Sequence, residues 1–183
     1  MRNTCWRVIT GAPCSGKTSV ISELARLGYR VVQETARAYI DEELERGRDL
    51  LQIKADPLPF ERMILNRKIE IESALPDSEI IFLDRAIPDS IAYFELEGLD
   101  PEEPRSKSRE FRYASVFLMD RLRFETDRVR TETDRMAATL DRLLETSYVE
   151  LGYPVVRVPV LSVKKRCRFI LDIVQGRSND GFL

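Results

Sequence analysis

Residues 6–18 read WRVITGAPCSGKT. The stretch from Arg7 to Thr10 is typical of a short buried strand, and the eight residues from Gly11 to Thr18 fit the phosphate-loop pattern GxxxxGK[ST]. Glycine permits backbone angles at which successive amide N–H groups turn inward around a phosphate. Lys17 would add a positive charge for the β- and γ-phosphates, and Thr18 a hydroxyl for Mg²⁺.

A helix is predicted directly after this loop. Val20, Ile21, Leu24 and Leu27 recur at helical spacing, and Gly28 ends the run. The loop therefore lies at a helix N-terminus, whose dipole favours anions. For the thiol within the loop we expect a space-filling role. The predicted cofactor-binding residues of this segment are Gly11, Ala12, Pro13, Cys14, Ser15, Gly16, Lys17, Thr18 and Ser19.

Composition restricts the class of protein. The 183 residues, 43% of them hydrophobic, predict one domain over residues 1–183. We expect a cytoplasmic protein, because no apolar run approaches the ~20 residues that span a bilayer and the N-terminus lacks a signal-peptide pattern. Twenty-nine basic and 31 acidic residues give a net charge of −2 and predict no general attraction to nucleic acid.

Two residue types narrow the chemistry further. The chain has no histidine, which excludes Ser-His triads and histidine-bound metals. Its three cysteines show no CxxC spacing and indicate neither a disulfide framework nor a zinc site. A general acid or base would therefore be a carboxylate or a less usual group.

Five short apolar stretches alternate with helical patterns. The predicted strands are 7–10, 29–33, 80–83, 115–119 and 154–158. The predicted helices cover about 36–46, 60–75, 88–98, 131–151 and 162–174, with a loop or short helical piece at 47–59 and a short helix at 106–111. This alternation predicts a three-layer α/β fold built on a doubly wound parallel sheet of five strands. Together with the phosphate loop after the first strand, it leads us to expect a P-loop NTPase of the type found in nucleoside and nucleotide kinases.

Polar side chains follow the predicted strands, where ligands bind in such sheets. Asp84 follows the third strand, where a carboxylate holds Mg²⁺ in phosphate-loop proteins. Arg85 could bind substrate or neutralise charge on the transferred group. After the second strand, Glu34 could accept a proton from an attacking hydroxyl or bind a sugar, and Arg37 lies one helical turn further on. Either Glu34 or Asp84 could be the base.

Arginines are dense after the fourth strand. The stretch at about 120–132 has the charge and position of a lid that closes over a triphosphate. We favour Arg128 and Arg130 as the phosphate-binding arginines over Arg121 and Arg123, because they lie nearest the next helix. A tail at about 176–183 is expected to be frayed.

The last predicted helix carries a second basic cluster. We interpret this cluster as a solvated helix face rather than a binding surface. Its members are Lys164, Lys165, Arg166 and Arg168.

With these residues located, the chain resembles the NadR-like and TRPL-translocation-defect-protein-like P-loop domains. These include bacterial nicotinamide riboside kinase modules and small predicted ATPases. The resemblance spans nearly the whole length. It depends on GAPCSGKT from Gly11, ETARAYI from Glu34, FLDRAIPDSIAY from Phe82, FETDRVR from Phe124 and LGYPVVRVPV from Leu151.

The resemblance implies roles for individual residues. It implies nucleotide phosphates at Gly11, Gly16, Lys17 and Thr18, with Mg²⁺ near Thr18 and Asp84. It also implies acceptor-side positions for Glu34, Arg37, Arg85 and Asp89, and lid positions for Asp127 and Arg130. No companion nucleotidyltransferase domain is recognised in the sequence, so we do not expect a role in NAD synthesis. The NKxD-type guanine signature is missing, which favours ATP and leaves GTP as the alternative.

Two functions are consistent with these residues. The first is Mg-ATP-dependent phosphoryl transfer to a small hydroxyl-bearing, nucleoside-like molecule. The second is a nucleotide-binding switch or slow NTPase that regulates a protein or lipid partner without phosphorylating an acceptor. Two carboxylates at strand ends and an arginine-rich lid favour the first.

Overall fold

The computed structural model describes residues 1–122 and 131–177. In chain order the strands are β1 (Arg2–Asn3), β2 (Arg7–Thr10), β3 (Arg30–Val32), β4 (Ile81–Asp84), β5 (Phe111–Arg112), β6 (Ser115–Met119) and β7 (Val155–Val158). The helices are α1 (Lys17–Arg26), α2 (Thr35–Glu45), α3 (Leu50–Ile53), α4 (Pro57–Ala74), α5 (Asp89–Leu96), α6 (Glu102–Ser108), α7 (Thr131–Glu150) and α8 (Val163–Val174).

The main sheet has five parallel strands in the order β3-β4-β2-β6-β7. The chain moves from β2 to one edge of the sheet and later crosses to the other, which is the doubly wound arrangement. The predicted α/β fold and its five strands are confirmed. Because all five strands run in one direction, their carboxyl ends lie at a single edge of the sheet.

Helices cover both faces of this sheet, as parallel sheets require. On one face, Ile9, Phe82 and Phe117 pack against α1 and α8. On the other face, Val8 and Leu83 belong to a second core cluster that reaches α4, α5 and α7. Successive side chains along each strand point to opposite faces of the sheet, so each strand packs against the helices on both sides.

Helix α4 differs from the prediction, whereas α3 confirms the short helical piece that was one of the two alternatives for 47–59. Helix α4 begins three residues earlier than expected, because Asp56 accepts a hydrogen bond from the N–H of Leu58 (3.2 Å) and Pro57 occupies the first helical position. The segment before it contains α3, which starts at a capping box formed by Asp49 and Gln52.

The short helix predicted at 106–111 was placed wrongly. Helix α6 covers Glu102–Ser108, and Phe111 belongs instead to β5. Pro104 is tolerated because it lies in the first turn, where Glu102 and Glu103 also favour the helix dipole.

A second, two-stranded parallel sheet joins β1 to β5. It was not predicted, since a two-residue strand has no recognisable periodicity. Among the helices of residues 1–122 and 131–177, none is long and apolar enough to cross a bilayer.

Candidate active site at the carboxyl ends of the strands

The loop between β2 and α1 has the backbone angles of a phosphate cradle. Gly11, Cys14 and Gly16 have φ values of 150°, 61° and 80°. A Cβ atom at Gly11 would lie 2.9 Å from Ser15 Oγ and 3.0 Å from the carbonyl oxygen of Met119. Position 11 therefore requires glycine, because its φ angle disfavours residues with a side chain and because β6 leaves no room for a Cβ atom.

Helix α1 begins at Lys17 without a side-chain cap, since its N-cap residue is Gly16. The first N–H groups of the helix are thus left for an external acceptor. Cys14 is exposed rather than packed, so the predicted space-filling role is wrong. Ser19 is exposed and does not line the adjoining cavity, whereas Pro13, Cys14, Lys17 and Thr18 do.

Asp84 ends β4 beside the phosphate loop. Its Oδ1 atom lies 3.9 Å from Lys17 Nζ, and the two side chains are 2% and 6% exposed. Oδ1 is buried and has no hydrogen-bond partner among the described residues. Burial raises the pKa of Asp84 to about 6, against the opposing effects of Lys17 and Arg85.

Arg85 connects the phosphate loop to the end of β3. It has a left-handed backbone (φ 67°), and its guanidinium donates to the carbonyl of Gly11 (3.1 Å) and to Glu34. The guanidinium also lies over the ring of Tyr93, 5.3 Å from the centroid. Burial alone would lower the pKa of Arg85, but Tyr93 and Glu34 raise it above its usual value.

The structure brings Glu34 and Arg37 to the same cavity as the phosphate loop. Glu34 is the N-cap residue of α2, and its carboxylate is held by Arg85. Arg37 is largely exposed, and its Nε atom lies 3.7 Å from Oδ2 of Asp41, one turn further along α2. Glu34 is therefore held in place, while Arg37 remains accessible to a ligand.

Asp89, for which an acceptor-side position was expected, lies behind the cavity. It is fully buried and accepts hydrogen bonds from the hydroxyl of Thr10, the N–H of Ala86 (2.9 Å) and the hydroxyl of Tyr148 (2.5 Å). Its carboxylate thus joins β2, α7 and the segment after β4. Asp89 also lies 3.8 Å from Arg85 Nε, through which it can influence the site.

One cavity of about 600 Å³ adjoins these groups. Lys17 and Thr18 line one part of it, and Glu34 and Arg85 lie beside them. The remaining wall comes mainly from α2, α4, α5 and α7, and includes Phe60, Ile64, Leu96, Met136 and Leu140. The cavity extends well beyond the phosphate loop and has the size of a small-molecule site.

Three polar residues of this wall were missed from the sequence. Glu61 and Lys68 lie on the same face of α4, and both are buried. Lys68 Nζ donates to Ser90 Oγ (3.0 Å), and burial lowers its pKa. Glu61 makes no hydrogen bond with any residue in the described ranges, and burial raises its pKa. Tyr93 on α5 has a pKa raised to about 12, chiefly by burial.

A signal for Glu61 and Lys68 does exist in the sequence. Their seven-residue spacing is in phase with Ile64, Leu65 and Glu72 on the buried side of α4. Charged residues at core positions of a helix mark either a polar network or a site. The other residues of α4 obscured this pattern, since its apolar positions fit a helix only imperfectly.

The basic cluster of α8 is not uniform. Lys164, Lys165 and Arg168 are exposed, as expected for a solvated face. Arg166 is buried, so including it in that face was wrong. Its guanidinium donates to the carbonyl of Ser15 in the phosphate loop.

The predicted lid falls mainly outside the described residues. This applies to Arg123, Asp127, Arg128 and Arg130. Arg121 is described, and it forms an ion pair with Asp134 near the start of α7. Most of the predicted tail at 176–183 also lies outside the described ranges.

Comparison by sequence gives one family. The family described as "AAA domain" matches residues 6–166. A search among curated proteins finds no match in sequence. The residues matched by the AAA domain family include the phosphate loop and every described site residue named above.

Comparison by structure finds proteins that share this fold, among them nucleoside and nucleotide kinases. NadR protein solved with NR has a TM-score of 0.70 at 18% identity; the match covers 96% of this chain and 51% of that one, so this chain spans about half its length. Deoxyadenosine kinase from M. mycoides has a TM-score of 0.62 at 18% identity, covering 93% and 98%. Thymidylate kinase from Ehrlichia chaffeensis has a TM-score of 0.66 at 13% identity, covering 93% and 97%. At these identities the likeness concerns the fold, and it confirms the predicted resemblance to NadR-like P-loop domains.

Proposed function

Because the chain belongs to the AAA domain family, with a fold shared by nucleoside and nucleotide kinases, we propose that it is a phosphotransferase. It transfers a phosphoryl group from Mg-ATP to the hydroxyl of a small, nucleoside-like acceptor. The observation that carries this proposal is the cavity of about 600 Å³ that joins the phosphate loop to Glu34, Arg85 and Glu61. Its volume leaves room for an acceptor beside the nucleotide's phosphates.

The donor nucleotide binds through the phosphate loop. The N–H groups at the start of α1 and the ammonium of Lys17 hold its β- and γ-phosphates. Burial lowers the pKa of Lys17, which indicates that its charge lacks full compensation within the fold. Phosphate oxygens would supply that compensation, and Arg128 and Arg130 of the predicted lid would neutralise further negative charge on the phosphates.

The donor set also suits Mg²⁺. No cluster of three metal-binding side chains occurs in the described part of the chain, which fits an ion held largely by phosphate oxygens and water. The hydroxyl of Thr18 and the unpartnered Oδ1 of Asp84 would hold it. When bound, Mg²⁺ neutralises charge on the β- and γ-phosphates.

Glu34 is the better candidate for the base. It lines the cavity and is partly exposed, so an acceptor hydroxyl can reach it. Asp84 is 2% exposed, does not line the cavity and lies against Lys17. We therefore assign proton acceptance to Glu34, and metal binding to Asp84. Arg85 orients Glu34 and stabilises charge on the transferred group.

The far part of the cavity selects the acceptor. Phe60 and Tyr93 offer aromatic surfaces to a flat ring. Glu61 is a buried acceptor without a hydrogen bond from the described residues, so it favours a ligand with an N–H donor. Arg37 at the cavity's edge completes the acceptor side. These features support a nucleoside-like molecule with an amino- or amide-bearing ring.

The test is a turnover assay with purified protein. ADP or GDP release is measured with Mg-ATP or Mg-GTP, alone and with each of a panel of nucleosides and small alcohols, and products are identified by mass spectrometry. Release that depends on one class of acceptor, with a phosphorylated product, supports the proposal. Slow hydrolysis that no acceptor accelerates contradicts it and favours the nucleotide-dependent switch.

A further inference from the structure

Arg166 of α8 contacts the phosphate loop and does not line the cavity. It is 2% exposed, and within residues 1–122 and 131–177 it donates three hydrogen bonds, each to a backbone carbonyl. Nη1 binds Ser15 O (2.5 Å), Nη2 binds Asp120 O (3.1 Å) and Nε binds Pro159 O (2.8 Å). The guanidinium thus joins the phosphate loop to the segments that follow β6 and β7.

This charge is costly where it lies. No carboxylate of the described residues is within ion-pair distance of Arg166, and burial lowers its pKa, which the more distant charge of Asp120 opposes only in part. A buried charge without a direct ion pair opposes folding, whereas an apolar side chain could fill the same space between α8 and the sheet. The position therefore calls for an explanation other than packing.

The peptide between Ser15 and Gly16 supplies that explanation. A trans peptide is planar, so its N–H and C=O groups point in opposite directions. Because the Ser15 carbonyl points toward Arg166, the N–H of Gly16 points away from it, in the direction from which we expect the phosphates. A charged donor on the carbonyl also polarises the peptide, which makes the N–H a stronger donor to an anion.

Gly16 fits this arrangement. Its φ of 80° gives the loop its turn, and a Cβ atom there would lie 3.3 Å from Arg166 Nη1. The carbonyl of the preceding loop residue is also held by a hydrogen bond, because the N–H of Leu122 donates to the carbonyl of Cys14 (3.3 Å). Two successive carbonyls of the loop are thus held from outside.

We propose that Arg166 is a positioning residue for the nucleotide's phosphates, which acts through the Ser15–Gly16 peptide and through its own charge. This inference rests on the proposed nucleotide binding at the phosphate loop. It goes beyond that binding because it gives a function to a buried residue about 150 positions away in sequence.

The test compares Arg166→Lys, which keeps the charge, with Arg166→Gln, which keeps donors but is neutral. Arg168→Gln on the exposed face of α8 is the matched control. Dissociation constants for ATP and for inorganic tripolyphosphate are measured by calorimetry, at a temperature where melting curves show every variant folded. Arg166→Gln should bind both ligands on the order of tenfold more weakly, Arg166→Lys within about threefold of the unmodified chain, and the control should be unchanged.

Several results would overturn the inference. One is equal binding of tripolyphosphate by the Lys and Gln variants. Another is a loss for ATP without a loss for tripolyphosphate, because the effect would then concern the nucleoside part. If the unmodified chain binds neither ligand, the proposed function fails as well, whereas binding by the unmodified chain and Arg166→Gln with equal affinity removes only the role of Arg166.

Discussion

Lys17 Nζ and Asp84 Oδ1 lie 3.9 Å apart, and both side chains are almost completely buried. Their pKa values nevertheless shift toward the neutral forms: that of Lys17 is lowered and that of Asp84 is raised to about 6, in each case chiefly by burial. The pair alone therefore does not compensate the cost of burying its charges. Phosphate oxygens beside Lys17 and a divalent cation beside Asp84 would do so, which is the basis of the following prediction.

Nucleotide binding in the presence of Mg²⁺ should weaken as the pH falls from about 7.5 to 5.5. Asp84 binds the cation only when it is deprotonated, and its pKa of about 6 lies within this range. Asp84→Asn should bind Mg-ATP more weakly at pH 7.5 and lose most of this pH dependence. Calorimetric titrations with and without Mg²⁺ measure both effects, with Asp77→Asn, a half-buried carboxylate paired with Arg2, as the control. An unchanged pH dependence in Asp84→Asn would reject Asp84 as the metal ligand.

Glu34→Gln should lower kcat by roughly 10²- to 10⁴-fold, the usual contribution of a general base. Gln keeps a hydrogen-bond acceptor for Arg85, so the affinity for Mg-ATP should change little. Steady-state kinetics with the acceptor found by the turnover assay give the values, and Glu45→Gln at the exposed end of α2 is the control. A variant with the kcat of the unmodified chain would exclude Glu34 as the base.

Glu61→Leu should raise the KM for an N–H-bearing acceptor about tenfold or more, because a hydrogen bond to a buried carboxylate is lost. The KM for the nucleotide should be unaffected. Glu97→Leu, which removes an exposed carboxylate from the same cavity, is the matched control. Equal effects on the two substrates would indicate a general disturbance of the site and contradict acceptor recognition by Glu61.

Glu72→Gln should change how stability depends on pH. Glu72 is buried, with its Oε1 accepting from the N–H of Ile87 (2.9 Å) and its Oε2 from the hydroxyl of Tyr113 (2.6 Å), and burial raises its pKa from 4.5 to about 8. The stabilisation from protonated Glu72 is therefore fully present below pH 4.5 and is lost as the pH rises through about 8, at about 1.4 kcal/mol per pH unit.

Urea unfolding between pH 5 and 8 tests this effect, with Glu70→Gln on the exposed side of α4 as the control. The free energy of unfolding of Glu72→Gln, relative to the unmodified chain, should increase with pH. A constant difference across this range would show that Glu72 does not titrate as its surroundings indicate.

The strands and the phosphate loop could be predicted from sequence because their signals are local. The apolar run before Asp84 indicates a buried strand, and the glycines of the loop indicate its turn, in each case from only a few neighbouring residues. Asp84, Arg85 and Glu34 followed from a rule about strand ends, and the parallel sheet brings them together.

The remaining features depend on contacts between distant segments. Arg166 has the same charge as its exposed neighbours, and only the packing of α8 against the phosphate loop distinguishes it. Asp89 lies close to the site in sequence, but hydrogen bonds from Thr10 and Tyr148 turn its carboxylate into the interior. The spacing of Glu61 along α4 indicates that it is buried, but only the packing of α4 beside α5 brings it to the cavity.

The central claim is that the loop from Gly11 to Thr18 binds the phosphates of a nucleotide. Calorimetric titration of ATP and GTP in the presence of Mg²⁺ tests it directly, with the unmodified chain, Lys17→Ala and the exposed control Lys165→Ala. We predict binding of at least one nucleotide by the unmodified chain and the control, and a loss on the order of 100-fold in Lys17→Ala, since a charged contact to phosphate is removed. No binding by the unmodified chain, or equal affinity in Lys17→Ala, would contradict the account.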